Sequence, residues 1–187
     1  KEIPIFFTID NSYAPYISVA IKSIIENASK DYNYKLIVLH QELYKENMEK
    51  ISSLSKEGFE IKFVYMRDGL ETITDRVENR LRCDYFTLTI YFRLFIPDMF
   101  PEYDKGIYID SDVVVPGDIS KLYTHELGNN LIGACADKSV VDVPELAKYM
   151  EEAIGVSRYE YVNSGVLLMN LKEMREILKQ FEGDTIE

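Results

Sequence analysis

The amino-terminal third of the chain alternates between short apolar runs and segments with helical spacing. Ile3 to Ile9 is an apolar run suited to a buried strand, and it stops at the polar residues 10–12. From Tyr13 to Asn27 the apolar residues recur every three or four positions, which predicts a helix. Its apolar residues are Tyr16, Ile17, Ala20, Ile21, Ile24 and Ile25. We expect Asn11 or Ser12 to be the N-cap of this helix.

Two further strands and a helix continue this alternation. Tyr34 to His40 is predicted to be the second strand, and Phe59 to Tyr65, with its alternating large apolar residues, the third. Between them, Tyr44 to Leu54 has helical spacing, and Gly58 follows as a stop signal. Successive strand–helix units imply right-handed crossovers and a largely parallel sheet. The sequence therefore predicts an α/β fold with helices flanking a central sheet, and with ligands at the carboxyl ends of its strands.

The remainder of the chain has a less regular pattern. Residues Asp68 to Asp84 are polar and predict a loop or a small exposed helix, whereas Phe86 to Phe100 is strongly apolar. The later predicted elements are strands at Leu131 to Ala136 and Val166 to Met169, and helices at Val143 to Ile154 and Leu171 to Phe181. No internal repeat or linker interrupts the pattern, so we expect residues 1–187 to form a single domain.

The composition is that of an ordinary globular protein, with 47% hydrophobic and 28% charged residues in a chain of 187. The formal net charge of −11 argues against general nucleic-acid binding, because no basic tract offsets it on a phosphate backbone. An anionic nucleotide would need a local positive group, such as a metal ion or an arginine. The apolar runs are too short for a membrane span, and Cys83 and Cys135 lack a CxxC partner. We therefore expect a cytoplasmic protein without a transmembrane segment.

A buried-strand pattern runs directly into two carboxylates, those of Asp110 and Asp112. Residues i and i+2 of a strand point the same way, so a turn at the strand end brings both carboxylates into one small volume. Two like charges held that close favour a bound divalent cation, and carboxylate oxygens suit Mg²⁺ or Mn²⁺. A solvated acidic turn has the same sequence, and this motif alone does not separate the two interpretations.

A second acidic loop, Asp10-Asn11-Ser12-Tyr13, lies between the first predicted strand and the first helix. Asp10 offers acceptors for a sugar hydroxyl or a base N–H, and Tyr13 offers an aromatic face for stacking. Helix capping by Asn11 or Ser12, with Tyr13 in the core, is the simpler interpretation of this loop taken alone. In a parallel sheet, this loop and the Asp110 loop are candidates for the same edge.

Arg93 is surrounded by apolar neighbours in the sequence. A guanidinium in such a segment either extends to solvent or meets an anion. Its anionic partner is either a carboxylate of the protein, Asp10 or Asp110, or the phosphate or donor sugar of a ligand. The sequence leaves both possibilities open.

Polar residues also flank the strands predicted near the carboxyl terminus. Asn163 and Ser164 can hydrogen-bond a sugar hydroxyl, and Gly165 permits close backbone approach, although a plain tight turn is the simpler explanation. Asp137, at the end of a predicted strand, places another carboxylate at a carboxyl-end edge. His40 and His125, which have no metal-ligand spacing, are expected to be surface or capping residues. The sequence lacks a Gly-rich phosphate loop, which argues against P-loop NTPases and dinucleotide-binding Rossmann folds.

Taken in order, these segments resemble the retaining glycosyltransferases of family 8, which have a GT-A fold. The family includes bacterial lipooligosaccharide galactosyltransferases and glycogenin. The resemblance rests on five motifs in order and spacing, at residues 7–14, 91–94, 105–113, 133–137 and 163–170. It implies one GT-A domain, a Rossmann-like nucleotide-diphospho-sugar transferase fold, over residues 1–187.

The resemblance implies a role for each motif. Asp110 and Asp112 match the family's metal-binding carboxylates, which hold Mn²⁺ (or Mg²⁺) against the diphosphate of a UDP-sugar. The residues expected to bind the nucleotide, its metal ion or the donor sugar are Thr8, Ile9, Asp10, Ser12, Tyr13, Arg93, Asp110, Ser111, Asp112, Asn163 and Ser164. Asp137 and Asn163 fall at positions that line the reaction centre, and we expect them to be catalytic residues.

The resemblance also implies an activity, the transfer of glucose or galactose from UDP to a glycan or lipopolysaccharide-type acceptor, with retention of configuration. Family members carry two later motifs, an Asp-Gln-Asp segment and a His-x-x-Gly-x-x-Lys-Pro-Trp-like segment that supplies a third metal ligand. Neither motif occurs in these 187 residues. We therefore expect a nucleotide-sugar-binding core without the family's carboxyl-terminal portion, through which any peripheral membrane contact would be made.

Two other functions fit parts of the sequence. A UDP-sugar-binding module without transferase activity would keep the metal-dependent nucleotide site but release no sugar. A nucleotidyltransferase would also use a carboxylate-bound metal ion, but it requires a Gly-rich, basic loop after the first strand. The residues Asp10-Asn11-Ser12-Tyr13 are neither Gly-rich nor basic.

Overall fold

The computed structural model describes residues 1–66 and 92–182. These residues contain a six-stranded sheet with the strand order β3-β2-β1-β4-β6-β5. The strands are β1 Glu2–Ile9, β2 Asn33–His40, β3 Phe59–Tyr65, β4 Gly106–Ile109, β5 Ile132–Gly133 and β6 Val166–Met169. Strands β3, β2, β1 and β4 are mutually parallel, and β6 runs antiparallel to both β4 and β5. The predicted α/β fold with a mostly parallel sheet is confirmed.

Helices flank this sheet. The α-helices are α1 Ala14–Asn27, α2 Lys45–Ser52, α3 Ile96–Met99, α4 Ser120–Tyr123, α5 Lys138–Asp142, α6 Pro144–Tyr149 and α7 Leu171–Glu182. Short 3₁₀ helices cover Asn11–Tyr13 and Phe92–Phe95, and a π-helical turn, Met150–Ile154, continues α6. Within the two described ranges, no helix is long and apolar enough to cross a bilayer.

Alternate residues of the strands bury two separate cores, one on each face of the sheet. One core contains Ile5, Phe7, Leu36, Val38 and Ile107, packed with Ile17, Ile21 and Ile24 of α1. The other contains Phe6, Ile37, Leu39, Tyr108 and Leu167, packed with Phe92, Ile96 and Leu171. Burying each large apolar side chain contributes about 1.5–3 kcal/mol. Strand β1 supplies both cores, which explains why its apolar run is continuous and why it lies in the middle of the sheet.

Strands β1 and β4 are neighbours in the sheet although β2 and β3 separate them in the chain. Their register pairs Ile5 with Ile107 and Phe6 with Tyr108. A Cβ on Gly106 would lie 2.6 Å from Cε2 of Phe6, so only glycine fits there without displacing the aromatic ring. This close packing brings the loop after β1 next to the turn after β4.

The predicted elements differ from the structure mainly in the carboxyl-terminal third. The helix expected over residues 143–154 is present as α6 and the π-helical turn that continues it, and Pro144, whose missing N–H costs nothing in the first turn, begins it. Helix α5 precedes it and was not predicted. The strand expected over residues 131–136 is reduced to β5 and a single bridge between Ala136 and Val162.

His40 is not a surface or capping residue as expected. It ends β2 with 5% of its surface exposed, and its ring lies against those of Phe63 and Tyr65. This burial lowers the pKa of the His40 imidazole. The loop or helix expected over residues 68–84 and the first part of the apolar segment 86–100 lie outside the described residues.

Candidate functional site

Three chain segments meet at the carboxyl edge of the sheet. Asp10 directly follows the last residue of β1, and Asp110 directly follows the last residue of β4. Because β1 and β4 are adjacent and parallel, the prediction that these two loops share one edge is confirmed. Strand β6 is antiparallel to β4 and pairs its first residue, Val166, with Ile109. The residues that precede β6 therefore reach the same edge.

The Asp110 carboxylate is held by two side chains. Its Oδ1 accepts a hydrogen bond from the hydroxyl of Tyr108 at 2.8 Å and one from Nη2 of Arg93 at 3.3 Å. The side chain is 39% exposed, so it reaches the surface while it remains hydrogen-bonded to the buried Tyr108. Burial raises the pKa of the Tyr108 phenol, which stays a donor at neutral pH. Asp110 is thus an oriented carboxylate at the edge of the core.

Gly165 packs directly against Asp110. Its carbonyl accepts a hydrogen bond from the Asp110 backbone N–H at 2.7 Å. A Cβ at position 165 would lie 2.8 Å from Asp110 Oδ2 and 3.1 Å from Asn163 Oδ1. The close backbone approach predicted for this glycine is present, and its partner is the Asp110 carboxylate.

Arg93 joins Asp110 to the segment before β6. Its guanidinium is only 12% exposed and lies 4.3 Å from the centre of the Tyr108 ring, in a cation–π geometry. Its Nη1 donates to the carbonyl of Ser164 at 2.6 Å. Of the two carboxylate partners considered from the sequence, the structure shows Asp110. A contact between Arg93 and a ligand stays a prediction.

Asp112 is exposed in the turn after β4, and Ser111, between the two acidic residues, is buried with 4% of its surface exposed. Two carboxylates from one turn are the hard oxygen donors that Mg²⁺ and Mn²⁺ prefer, so the chemistry of the pair fits such a cation. In the part of the chain that the structure describes, no group of three or more His, Cys, Asp or Glu residues has a metal-binding arrangement. The pair would therefore need further ligands, such as phosphate oxygens or water.

Asp10 is the cap of the 3₁₀ turn that leads into α1. Its Oδ1 accepts from the backbone N–H of Ser12 at 2.7 Å and of Tyr13 at 3.3 Å, and also from the Ser12 hydroxyl. The expectation that Asn11 or Ser12 caps α1 is wrong, because Asp10 caps the 3₁₀ turn and the N-cap position of α1 is Tyr13, which makes no side-chain capping hydrogen bond. Tyr13 is not a core residue, since it is 38% exposed and packs beside the ring of Tyr16.

Asn11 ties the same loop to α2. Its Oδ1 accepts from the backbone N–H of Tyr44 and from Nδ2 of Asn47, each at 2.9 Å. Asn11 was expected only as a helix cap, and the sequence gives no sign of a partner more than thirty residues away. The loop is therefore fixed at two points, by Asp10 within its own turn and by Asn11 at the start of α2.

Thr8 and Ile9 lie below the loop, inside the sheet. The Thr8 hydroxyl is within 2.8 Å of the Tyr108 hydroxyl, across the β1–β4 pair. Ile9 is 1% exposed and belongs to the core, so its side chain is unavailable to a ligand and only its backbone reaches the edge. The side chain of Ser111 is also buried and is therefore unavailable to a ligand.

Asp137 and Asn163 lie on two neighbouring segments. Asp137 N donates to the carbonyl of Tyr161 at 3.0 Å, and Asn163 N donates to that of Cys135 at 2.8 Å. The Asp137 carboxylate caps α5, and its hydrogen bonds with Ser139 lower the pKa of Asp137. Asn163 Oδ1 accepts from Gly165 N at 2.9 Å. Asn163 is exposed and Asp137 is partly buried, and their catalytic role stays a prediction.

Tyr108 is the site residue that sequence reasoning missed. Among Ile107 and Ile109 it looks like one more buried strand residue. The available signal was its spacing, because residue i of a strand points to the same side as residue i+2, which here is Asp110.

The mostly parallel sheet, with acidic loops after β1 and β4, has the GT-A architecture. Residues 4–178 match glycosyl transferase family 8, and the chain belongs to this family. The match covers nearly the whole chain, including the segment that supplies Asp110 and Asp112.

Relatives of known sequence agree with this assignment. The chain is 31% identical over 172 residues to a glycosyltransferase of Haemophilus influenzae, covering 92% of this chain and 49% of that protein. It is 28% identical over 172 residues to the lipopolysaccharide 1,2-glucosyltransferase of Escherichia coli, covering 89% and 47%, respectively. The chain thus spans about half the length of these relatives.

Solved structures show the same fold. The galactosyltransferase LgtC, in complex with donor and acceptor sugar analogues, superposes with a TM-score of 0.74 at 27% identity, covering 99% of this chain and 67% of that chain. The bifunctional glycosyltransferase WbbM superposes with a TM-score of 0.79 at 27% identity, covering 95% of this chain and 33% of that chain.

Proposed function

We propose that this chain is the nucleotide-sugar-binding core of a retaining hexosyltransferase, which moves glucose or galactose from a UDP-sugar to a hydroxyl group of a glycan acceptor. The observation that carries the proposal is the meeting of Asp10, Arg93 and Asp110 at one edge of the sheet, in a member of glycosyl transferase family 8. Relatives named for lipopolysaccharide glucosylation and for galactosyl transfer support a hexose donor and a saccharide acceptor.

The loop after β1 is suited to the nucleoside. Tyr13 presents an exposed aromatic face on which uracil can stack. Asp10 uses Oδ1 to cap the 3₁₀ turn, and among the described residues no hydrogen bond engages its Oδ2. That oxygen is available to accept from a ribose hydroxyl or from the imide N–H of the base. The hydrogen bonds of Asn11 anchor the loop that carries both groups.

The turn after β4 is suited to the diphosphate. Asp110 and Asp112 would hold a divalent cation, which supplies positive charge to the leaving group when it is bound. A protein with a net charge of −11 needs such a local charge to attract a diphosphate. Arg93 adds a guanidinium beside the same carboxylate, and it is already fixed by the Ser164 carbonyl.

The proposed reaction balances without an enzyme nucleophile. The bond between C1 of the sugar and the β-phosphate oxygen breaks, and UDP leaves with the electron pair. The acceptor hydroxyl oxygen forms the new bond to C1 on the same face, and its proton is released. Asn163 and Asp137 lie on adjacent segments where they can contact the sugar during this step. We assign no general base.

Product analysis tests this proposal. The chain, and a longer protein that carries the family's carboxyl-terminal portion, are incubated with UDP-glucose, UDP-galactose or UDP-N-acetylglucosamine and a saccharide acceptor, with Mn²⁺ or with EDTA. UDP release is measured by chromatography and the anomeric configuration of the product by NMR. We expect metal-dependent release from a hexose donor with retained configuration.

Two other outcomes would replace the proposal with an alternative. Metal-dependent UDP binding without sugar transfer, even by a longer protein that carries the family's carboxyl-terminal portion, would identify a UDP-sugar-binding module. Release of pyrophosphate from UTP and a sugar phosphate would identify a nucleotidyltransferase.

A further inference from the structure

A chain of hydrogen bonds inside the sheet ends at the Asp110 carboxylate. The hydroxyl groups of Thr8 and Tyr108 are 2.8 Å apart, and the Tyr108 hydroxyl is 2.8 Å from Asp110 Oδ1. A carboxylate only accepts hydrogen bonds, so Tyr108 donates its single proton to Asp110. The Thr8 hydroxyl must then be the donor to the Tyr108 oxygen. The direction of the whole chain, from Thr8 through Tyr108 to Asp110, is therefore fixed.

The groups that form this chain are on rigid elements. Thr8 belongs to β1 and Tyr108 to β4, the adjacent central strands of the sheet. Tyr108 is fully buried and Thr8 is 9% exposed. Because both side chains are buried on strands, they cannot change rotamer as surface residues can, and they hold Asp110 from a fixed position.

The chain of hydrogen bonds determines which oxygen of Asp110 is available. Oδ1 accepts from both Tyr108 and Arg93. Oδ2 lies on the side of Gly165 and Asn163, and within the described ranges no donor is hydrogen-bonded to it. A rotation of the carboxylate that exchanged the two oxygens would leave the buried Tyr108 hydroxyl without its acceptor, which is unfavourable.

We infer that Tyr108, oriented by Thr8, is a positioning residue that presents Oδ2 of Asp110 to the divalent cation expected with a bound nucleotide sugar. The inference rests on the proposed function and assigns a role to a buried pair outside the ligand-contacting loops. Partners that orient a metal ligand from behind typically change metal affinity about 10–100-fold when they are removed. We expect an effect of that size for the Tyr108 hydroxyl.

The structure provides a control for the loss of a buried tyrosine hydroxyl. Tyr34 is 1% exposed and donates to the carbonyl of Ser29 at 2.9 Å, near the amino end of β2 and away from Asp110. Tyr34→Phe and Tyr108→Phe therefore remove the same group from equally buried rings. Thr8→Val and Thr8→Ser form a second matched pair, because serine keeps the hydroxyl and valine does not.

The test is a titration of Mn²⁺ into each variant at a fixed UDP concentration, followed by electron paramagnetic resonance of free Mn²⁺, with thermal unfolding measured in parallel. We expect Tyr108→Phe to raise the apparent Kd for Mn²⁺ by about 10–100-fold. Thr8→Val should raise it by about fivefold, the equivalent of one net hydrogen bond. Thr8→Ser should keep the wild-type Kd for Mn²⁺. Tyr34→Phe should lower the melting temperature but leave the Kd for Mn²⁺ unchanged.

The outcomes separate the inference from the proposed function. If folded wild-type chain shows no UDP-linked Mn²⁺ binding, the proposed function fails and the inference fails with it. If wild type binds but Tyr108→Phe keeps the same Kd, or Tyr34→Phe weakens Mn²⁺ binding equally, the inference alone is overturned.

Discussion

Two aspartates that follow β4 lie at opposite ends of the sheet and are held in different ways. Asp118 Oδ1 accepts from backbone N–H groups, those of Ser29 at 2.9 Å and Ser120 at 3.0 Å. Asp110 is instead held by the side chains of Tyr108 and Arg93. A carboxylate that joins backbone segments closes a turn, whereas one that is steered by side chains at an exposed edge is prepared for a ligand.

The buried tyrosines at the two ends show the same contrast. Tyr34 donates to the backbone carbonyl of Ser29, and burial raises its pKa to about 12. Tyr108 donates to the Asp110 carboxylate. The Tyr34 phenol therefore stabilises the connection between α1 and β2, whereas the Tyr108 phenol orients the Asp110 carboxylate.

The largest effect is expected from Asp110→Asn. Replacing one carboxylate oxygen with an amide removes the charge that a divalent cation requires, so metal-dependent UDP affinity should fall at least ~100-fold. Isothermal titration calorimetry of UDP, with Mn²⁺ and then with EDTA, measures the loss.

Asp118→Asn is the matched control for Asp110→Asn. It should lower the melting temperature by a few degrees, because a hydrogen bond to a charged acceptor contributes about 1 kcal/mol more than one to a neutral acceptor and a domain of this size loses about 2–4 °C per kcal/mol. UDP affinity should stay unchanged. If Asp118→Asn weakened UDP binding as much as Asp110→Asn, the proposed contrast between the two ends would be wrong.

The next largest effect is expected from Gly165→Ala. The added Cβ would lie 2.8 Å from Asp110 Oδ2, so the carboxylate must move away from its place at the edge. We expect UDP affinity to fall about tenfold, as for other changes that misplace a metal ligand. Gly117→Ala is the control, since its Cβ would meet no atom within 4 Å. Equal UDP affinities for the two alanine variants would contradict the prediction.

A smaller effect is expected from Asn11→Ala. This change removes both hydrogen bonds that tie the Asp10 loop to α2, which costs about 1–3 kcal/mol of stability. UDP affinity should fall several-fold because the loop is less ordered, and calorimetry measures it. Asn27→Ala also loses two hydrogen bonds, to Ser23 and Val115, and should destabilise the fold without weakening UDP binding. Equal UDP affinities for Asn11→Ala and Asn27→Ala would argue against a role for the Asp10 loop in UDP binding.

The smallest effect is a pH dependence of stability. Burial raises the pKa of Asp118, but the hydrogen bonds from Ser29 and Ser120 outweigh it and hold the pKa below its ordinary value. A lowered pKa contributes stability above about pH 3.9, and this contribution is lost as the pH falls through the folded-state pKa. The melting temperature of wild type should therefore approach that of Asp118→Asn between about pH 5 and about pH 3. Melting temperatures of wild type and Asp118→Asn that differ by the same amount over this whole pH range would contradict the prediction.

Much of the fold could be predicted from the sequence. The apolar run of β1 and the alternation in β3 are strong local signals, and three strand–helix units in succession allow few topologies. Helix α5 was harder, because five residues are too few to show a helical period of their own. The short strand β5 has two residues and carries almost no periodic signal of its own.

The candidate site could be predicted in part. The acidic residues after β1 and β4 are visible because charge interrupts an apolar run. The roles of Tyr108 and Asn11 could not be read in the same way, because their partners are distant in the chain. Asn11 meets Tyr44 only after α2 docks, and Tyr108 meets Thr8 only after β1 and β4 pair. Such contacts depend on topology, which a local pattern does not contain.

Crystals of the chain soaked with UDP and Mn²⁺, and measured at the manganese absorption edge, would show whether Asp110 and Asp112 bind a cation beside the nucleotide. We expect an anomalous peak about 2.0–2.3 Å from carboxylate oxygens of both Asp110 and Asp112, on the Oδ2 side of Asp110. We also expect the uracil to stack at Tyr13, with the ribose or base within hydrogen-bonding distance of Asp10. UDP bound elsewhere on the protein, or manganese bound without contact to Asp110, would contradict these expectations.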